Sequence, residues 1–281
     1  MKKILVPTDF SKTSHNAYLY ALEMAIEIGA ALKVVHLYSG TFHPKQRFVF
    51  KAGMGRKETL ESHLQDFVDN IPEDQETAIT TKTKIEVEAI SAVNITKSLV
   101  EITKDPDVLM VIMGTTGEHD LIEKMVGSFS TTIAQKSYCP VVMIPKGKKF
   151  KPFKSILFAS NFESADDETL EDIIYIANLF KSTLHFIHVK EKNDTYEMNS
   201  EDVIFEKLFK DGDPVFSFNL ATIESKSVVK GLNQYAEENE VDLVVLVNRD
   251  RDFISNLMRK SITQKMGLYT KLPMMVFHIL R

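Results

Sequence analysis

Apolar residues gather along this chain in short blocks separated by polar stretches, and the blocks follow two periods. "KILVPT", residues 3–8, is an almost unbroken apolar run, as expected for a strand covered on both faces. From Ser14 to Gly29 the apolar positions Ala17, Leu22, Ala25, Ile26 and Ile28 approximate a helical stripe, and Gly29 is placed to stop it. "LKVVHLY" then predicts a second strand, "GRKETLESHLQDFVDNI" a helix, "KIEVEAI" a third strand and "ITKSLVEITK" a third helix. "DVLMVIM", "SFSTTIAQKS" and "VVMI" follow as strand, helix and strand. Strands joined by helices of this length predict right-handed crossovers in a parallel sheet, an α/β fold with helices on both faces.

The same succession returns in the second half. Residues 2–38 align without a gap on residues 154–190, setting Ile4 on Ile156, Leu5 on Leu157, Phe10 on Phe162, Ala25 on Ala177, Leu32 on Leu184 and His36 on His188. "STLHFIHV", "SEDVIFEKLFK", "VFSFNLATI", "SVVKGLNQYAEEN", "VDLVVLV", "ITQKMGLYT" and "MMVFHIL" then repeat the order of strands and helices. This pattern reads as a duplication, with one doubly wound sheet expected in residues 1–147 and a second in 152–281. "PKGKKFKPFK", residues 145–154, suits an exposed linker between them.

Composition narrows the function classes. Thirty-four Lys and Arg against 39 Asp and Glu leave a formal net charge of -5, which disfavours a broad electrostatic grip on nucleic acid or on an anionic membrane. Cys139 is the single cysteine, which excludes an intrachain disulfide framework and a Cys-based zinc site. It points to a reducing, cytoplasmic compartment. The start "MKKILVPTDF" breaks its apolar run at Pro7, Thr8 and Asp9, unlike a signal peptide, and no window approaches the roughly 20 apolar residues of a membrane span.

Ligands of parallel α/β sheets sit beyond the carboxyl ends of the strands. After the first strand come Pro7, Thr8 and Asp9, where the carboxylate suits either a base or ribose hydroxyl, or the cap of the next helix. After the fourth strand comes "GTTGEHDLIEKMVGSFS". Gly114 and Gly117 permit a tight turn and close backbone approach, and Gly127 and Ser128 open a helix whose free N–H groups favour a phosphate. The hydroxyls of Ser128, Ser130 and Thr131 add donors. The spacing is neither a Walker A loop nor the Rossmann glycine fingerprint.

These residues resemble the universal stress proteins of the UspA type, whose nucleotide-binding members carry G-x2-G-x9-G-[ST]. Gly114, Gly117, Gly127 and Ser128 match that motif with its full spacer, and "ILVPTDFS" and "VVHLY" are similar to the family's first two strands. The resemblance spans both halves. It implies two tandem five-stranded sheets of order 3-2-1-4-5, adenine nucleotide alpha hydrolase-like. It further implies an adenine nucleotide, ATP or else AMP or ADP, with or without Mg2+. Pro7, Thr8, Asp9 and Leu37 would then hold adenine and ribose, Met113 and Gly114 would flank the ribose, and Gly117, Gly127, Ser128, Phe129 and Ser130 would surround the phosphates. Fifth strands in this family commonly meet at a dimer interface, so an intrachain pseudo-dimer is expected, with a homodimer of chains as a further option.

In the second copy Pro7-Thr8-Asp9 is replaced by Ala159-Ser160-Asn161, Gly114-Thr115-Thr116-Gly117 by Asn248-Arg249-Asp250-Arg251, and Gly127-Ser128 by Lys260-Ser261. Without the carboxylate and the glycines, this copy is not expected to bind nucleotide in the family manner. Binding is favoured over catalysis, since there is no Walker lysine, no kinase signature and no H-E-x-x-H pattern. A slow ATP hydrolase or nucleotidyl enzyme and a ligand-free scaffold stand as the alternatives. His36 and His188, which recur in both copies, read as structural, and Cys139 reads as a small apolar group.

Overall fold

The computed structural model describes residues 1–39, 55–72, 83–115, 129–159, 167–191, 200–210, 214–248 and 272–278. The chain divides into two compact units, the first ending at Phe150 and the second taking up at Lys151, with residues 129–131 grouping with the second.

In the first unit β1 (Lys3–Pro7), β2 (Ala31–Tyr38), β3 (Ile85–Ser91), β4 (Val108–Gly114) and β5 (Val141–Ile144) alternate with α1 (Lys12–Ile28), α2 (Arg56–Asp69) and α3 (Ile95–Ile102). A further helix, α4 (Phe129–Ala134), precedes β5. The strands lie in the order β3-β2-β1-β4-β5, every pairing parallel. Ile4, Leu5, Val34, Val35, Met110 and Ile112 are fully buried, as the unbroken apolar runs predict. Each such side chain stabilises the fold by about 1.5–3 kcal/mol. β3 is the half-exposed edge, and it carries the ion pairs Lys33–Glu88 (2.8 Å) and Lys84–Glu86 (2.6 Å) that discourage edge-to-edge pairing.

Helix α1 begins at Ser11, whose hydroxyl accepts from the Ser14 N–H at 3.1 Å, and ends at Gly29, whose φ of 67° is the left-handed conformation that glycine adopts without strain. Its buried face includes Ala17, Leu22 and Ala25 of the predicted stripe but is wider and shifted. Tyr18, Tyr20, Ala21 and Met24 are buried while Ile26 and Ile28 are only half-buried, because the helix packs on β1, β2, β4 and β5 with a wide face that favours its first turns. Helix α4 is shorter than "SFSTTIAQKS" predicts, since the chain turns at Ser137, which accepts from the Cys139 N–H at 3.4 Å.

The second unit contains β6 (Ser155–Ala159), β7 (Thr183–Glu191), β8 (Phe218–Ser225), β9 (Leu243–Asn248) and β10 (Met274–His278), with α5 (Asp167–Phe180), α6 (Ser200–Leu208) and α7 (Val228–Glu238). Its order, β8-β7-β6-β9-β10, is again 3-2-1-4-5 in chain sequence. The register also repeats, with Lys3 opposite Ala31 and Leu5 opposite Lys33 in one unit and Ser155 opposite Thr183 and Leu157 opposite His185 in the other. This is the frame of the gapless alignment. The predicted helix "ITQKMGLYT" lies outside the described residues.

Candidate functional site

The ladder between β1 and β2 ends at Pro7 opposite Val35, and the Thr8 N–H closes it on the Val35 carbonyl at 2.9 Å. Backbone groups of β2 alternate sides. The Leu32 N–H bonds Lys84 O and the Tyr38 carbonyl accepts from Ala92 N–H, both toward β3, so Leu37 directs its own N–H and C=O toward the β1 side, one step beyond the last ladder bond. One donor and one acceptor thus lie side by side at the strand end.

Thr8 is buried and engaged on three sides. Its carbonyl accepts from His36 Nδ1–H at 2.8 Å, its Oγ1 accepts from the Phe10 N–H at 3.0 Å, and the same oxygen lies 2.9 Å from Ser14 Oγ. Asp9 is exposed, and its Oδ1 accepts from the Ser11 N–H at 3.0 Å, an Asx turn leading into α1. Burial pushes the Asp9 carboxyl up, but hydrogen bonds from Ser11 and Ser14 outweigh it and hold the group below the usual value, so it is anionic at neutral pH. Phe10 has a φ of 63°, a costly conformation for a bulky residue. Its ring packs on His36 at 4.6 Å and edge-on against Phe67 at 5.8 Å, contacts that hold the turn in place.

Arg56 opens α2 and holds its guanidinium carbon 5.0 Å from the centre of the Tyr38 ring, at the carboxyl end of β2. Burial holds His36 below its ordinary value and the Arg56 charge adds to this, while the Thr8 carbonyl and the Asp9 charge pull the other way. Asp9 and Arg56 therefore both bear on His36. Sequence reasoning read Arg56 only as part of a helix. The signal that marks it is a cation on the first turn of a helix, where the dipole disfavours positive charge.

Met113 is buried opposite Met143, and Thr115 extends β4 by donating its N–H to the Ile144 carbonyl at 2.9 Å. A Cβ on Gly114 would lie 2.6 Å from Thr13 Cγ2 and 2.7 Å from the Thr13 carbonyl oxygen. Close approach of α1 to β4 is thus sufficient by itself to require glycine there. Gly117, Gly127 and Ser128 lie outside the described residues, while Phe129, exposed, and Ser130, half-buried, open α4. The topology brings Pro7, Thr8, Asp9, Leu37, Met113 and Gly114 to the carboxyl ends of three adjacent strands.

In the second unit Ala159 ends β6 and Asn248 ends β9, opposite His278. Ser160, Asn161, Arg249, Asp250, Arg251, Lys260 and Ser261 lie outside the described residues. His188 is half-exposed where His36 is buried. The Cys139 thiol, half-buried, is pushed up to about 11 by burial and is not a ready nucleophile. No described helix is long and apolar enough to cross a membrane, and no three metal-ligating side chains cluster among the described residues.

Comparison with known proteins agrees with this architecture. Residues 1–145 match the model of the universal stress protein family. A universal stress protein of Methanocaldococcus jannaschii is 29% identical over 155 residues, covering 53% of this chain and 84% of its own. One from Synechocystis is 22% identical over 291 residues, covering 99% of this chain and 100% of its own. The crystal structure of a universal stress protein from Archaeoglobus fulgidus superposes with a TM-score of 0.65 at 18% identity, covering 98% of this chain and 96% of that one. A two-unit chain of this topology, with a family match across its first half, belongs to the universal stress protein family.

Proposed function

We propose that the first unit binds an adenine nucleotide at the carboxyl ends of β1, β2 and β4, and that the protein acts through this binding rather than through catalysis. The observation that carries the reading is the paired N–H and C=O of Leu37 beyond the end of the β1 ladder. A donor beside an acceptor complements the N1 acceptor and N6 amino donor of adenine, and mismatches guanine, whose corresponding edge presents the opposite order. The Asp9 carboxylate, anionic and pre-set by its Asx turn, accepts from ribose hydroxyls. Arg56 adds positive charge on the β2 side, while Gly117, Gly127 and Ser128 supply the phosphate contacts that their spacing suggests. ATP, ADP or AMP fits this arrangement, with Mg2+ required only where two or more phosphates are bound. The second unit, with Ala159 and Asn248 at the equivalent strand ends, does not bind nucleotide in this way.

Thermal unfolding of the purified chain with ATP, ADP, AMP, adenosine and GTP, with and without Mg2+, tests the reading. At about 100 times the dissociation constant a ligand should stabilise the folded form by roughly 2.7 kcal/mol. Adenine compounds should shift the transition and GTP should not, and Asp9→Ala should reduce the shift. No shift with any nucleotide, together with none retained in native mass spectra, overturns the proposal in favour of a ligand-free scaffold. Phosphate release at a rate abolished by Asp9→Ala would instead establish the hydrolase.

A further inference from the structure

The two units also differ at the end of the sheet opposite the candidate ligand site. In the first unit the amino-terminal strand positions are held by Lys3, paired with Asp105 at 3.1 Å, and Lys33, paired with Glu88 at 2.8 Å, each with one exposed partner. By register the equivalent residues of the second unit are Ser155 and His185, and both are buried. His185 Nε2 lies 3.1 Å from Ser155 Oγ, and its Nδ1 lies 2.8 Å from the Tyr235 hydroxyl and 3.3 Å from Asn219 Nδ2. One imidazole on β7 therefore ties together β6, β8 and α7.

Counting protons fixes the state of the ring. Asn219 Nδ2 only donates, so Nδ1 is the acceptor, taking hydrogen bonds from the amide and from the Tyr235 hydroxyl. Nε2 then carries the proton and donates to Ser155 Oγ, whose own hydrogen is given to the Asn239 carbonyl at 3.2 Å. This arrangement disqualifies a Ser–His catalytic pair, because a general base needs a bare nitrogen facing the hydroxyl. The neutral ring is fully satisfied. A second proton would sit on Nδ1 facing the Asn219 N–H donors, and would require the Tyr235 hydroxyl to accept where it had donated, while the Nε2 bond to Ser155 stays.

The charged groups around the ring do not offset that cost. Beside Ser155 lies the buried carboxylate of Asp242, which accepts from the Lys154 N–H at 2.7 Å and the Ser155 N–H at 3.2 Å and pairs with Lys151 Nζ. Its charge is thereby engaged. From β8 the ring meets the neutral Asn219, from α7 the hydroxyl of Tyr235, which burial holds protonated, and from β6 the hydroxyl of Ser155.

We propose that His185 is an acid-sensitive latch, closing β8 and α7 onto β7 while neutral and loosening them when it is protonated. Burial holds the His185 imidazole below its ordinary value of 6.5. The folded state therefore binds the proton less well than the unfolded chain. The latch contributes fully above that ordinary value, and its contribution is lost as pH falls through it toward the lower value of the folded state. The second unit, degenerate at its nucleotide end, would thus give the chain a response to acidification that does not depend on the nucleotide site.

Hydrogen exchange of the full chain at about pH 7.5 and about pH 5.5, corrected for intrinsic rates, tests this. Peptides from β8 and α7 should lose protection on acidification relative to β1 and β4, by at most about tenfold, since about pH 5.5 lies one unit below the ordinary value of 6.5. His185→Gln keeps a donor and an acceptor without a titrating ring, and should abolish the pH response of those peptides. Nitrogen chemical shifts of the wild-type ring, which need no variant, should show the proton on Nε2 at neutral pH and a midpoint below the ordinary histidine range. A proton on Nδ1, an ordinary midpoint, or the same pH response in the Gln variant each overturns the latch. None of these readouts involves nucleotide.

Discussion

Replacing Gly114 by alanine separates the two reasons for which a glycine can stand after β4. The added Cβ would lie 2.6 Å from Thr13 Cγ2, 2.7 Å from Thr13 O and 3.1 Å from Thr13 C, where carbon contacts are comfortable at about 3.5–4.0 Å. The methyl can give way, but the carbonyl belongs to the first turn of α1, which is pinned by the Ser11 cap and packed against β1 and β4. Overpacking of this kind costs about 1–3 kcal/mol, and the entropic benefit of removing a strand glycine, about 0.5–1 kcal/mol, offsets only part of it. We therefore expect Gly114→Ala to destabilise the nucleotide-free protein in urea denaturation followed by circular dichroism, with protection from hydrogen exchange lost first in β4. Thr13→Ala combined with Gly114→Ala removes the Cγ2 contact and leaves the carbonyl, so the double variant should recover part of the loss and no more. A loss below about 0.5 kcal/mol, the ordinary range of a neutral substitution, would refute the packing account and leave ligand approach as the reason for the glycine.

Three further outcomes are expected. Ser11→Ala removes the α1 cap and should cost about 1 kcal/mol in the same denaturation, with Ser11→Asp restoring most of it. Arg56→Ala should weaken ATP binding about tenfold or more in calorimetry, the scale of one lost hydrogen bond to a charged group; an unchanged constant would remove Arg56 from the site. Cys139, whose thiol sits at about 11 against an ordinary 9.0, should react with a thiol reagent far more slowly in the folded protein than in urea, since the thiolate is the reactive form.

The order of strands and helices was legible in the sequence because each depends on a period of two or 3.6 residues within a dozen positions. The gapless alignment of the halves carried the register as well: a strand's side chains change face with every one-residue slip, so a conserved apolar pattern admits one pairing. Composition at the strand ends likewise determined that Asp9 stands where the second unit has no carboxylate. The buried face of α1 was legible only in part: Ala17, Leu22 and Ala25 are buried as the period predicts, but Tyr18 and Met24 count as buried only once β1 and β4 lie beneath them. Other features required the chain to close on itself. Thr13 meets Gly114, Arg56 meets Tyr38, and His185 meets Ser155, Asn219 and Tyr235 across separations longer than any local period, which therefore encodes none of these meetings. Tertiary structure decided them because a parallel sheet gathers the ends of distant strands, and it is at those ends that steric fit, charge and hydrogen-bond counting assign each residue its part.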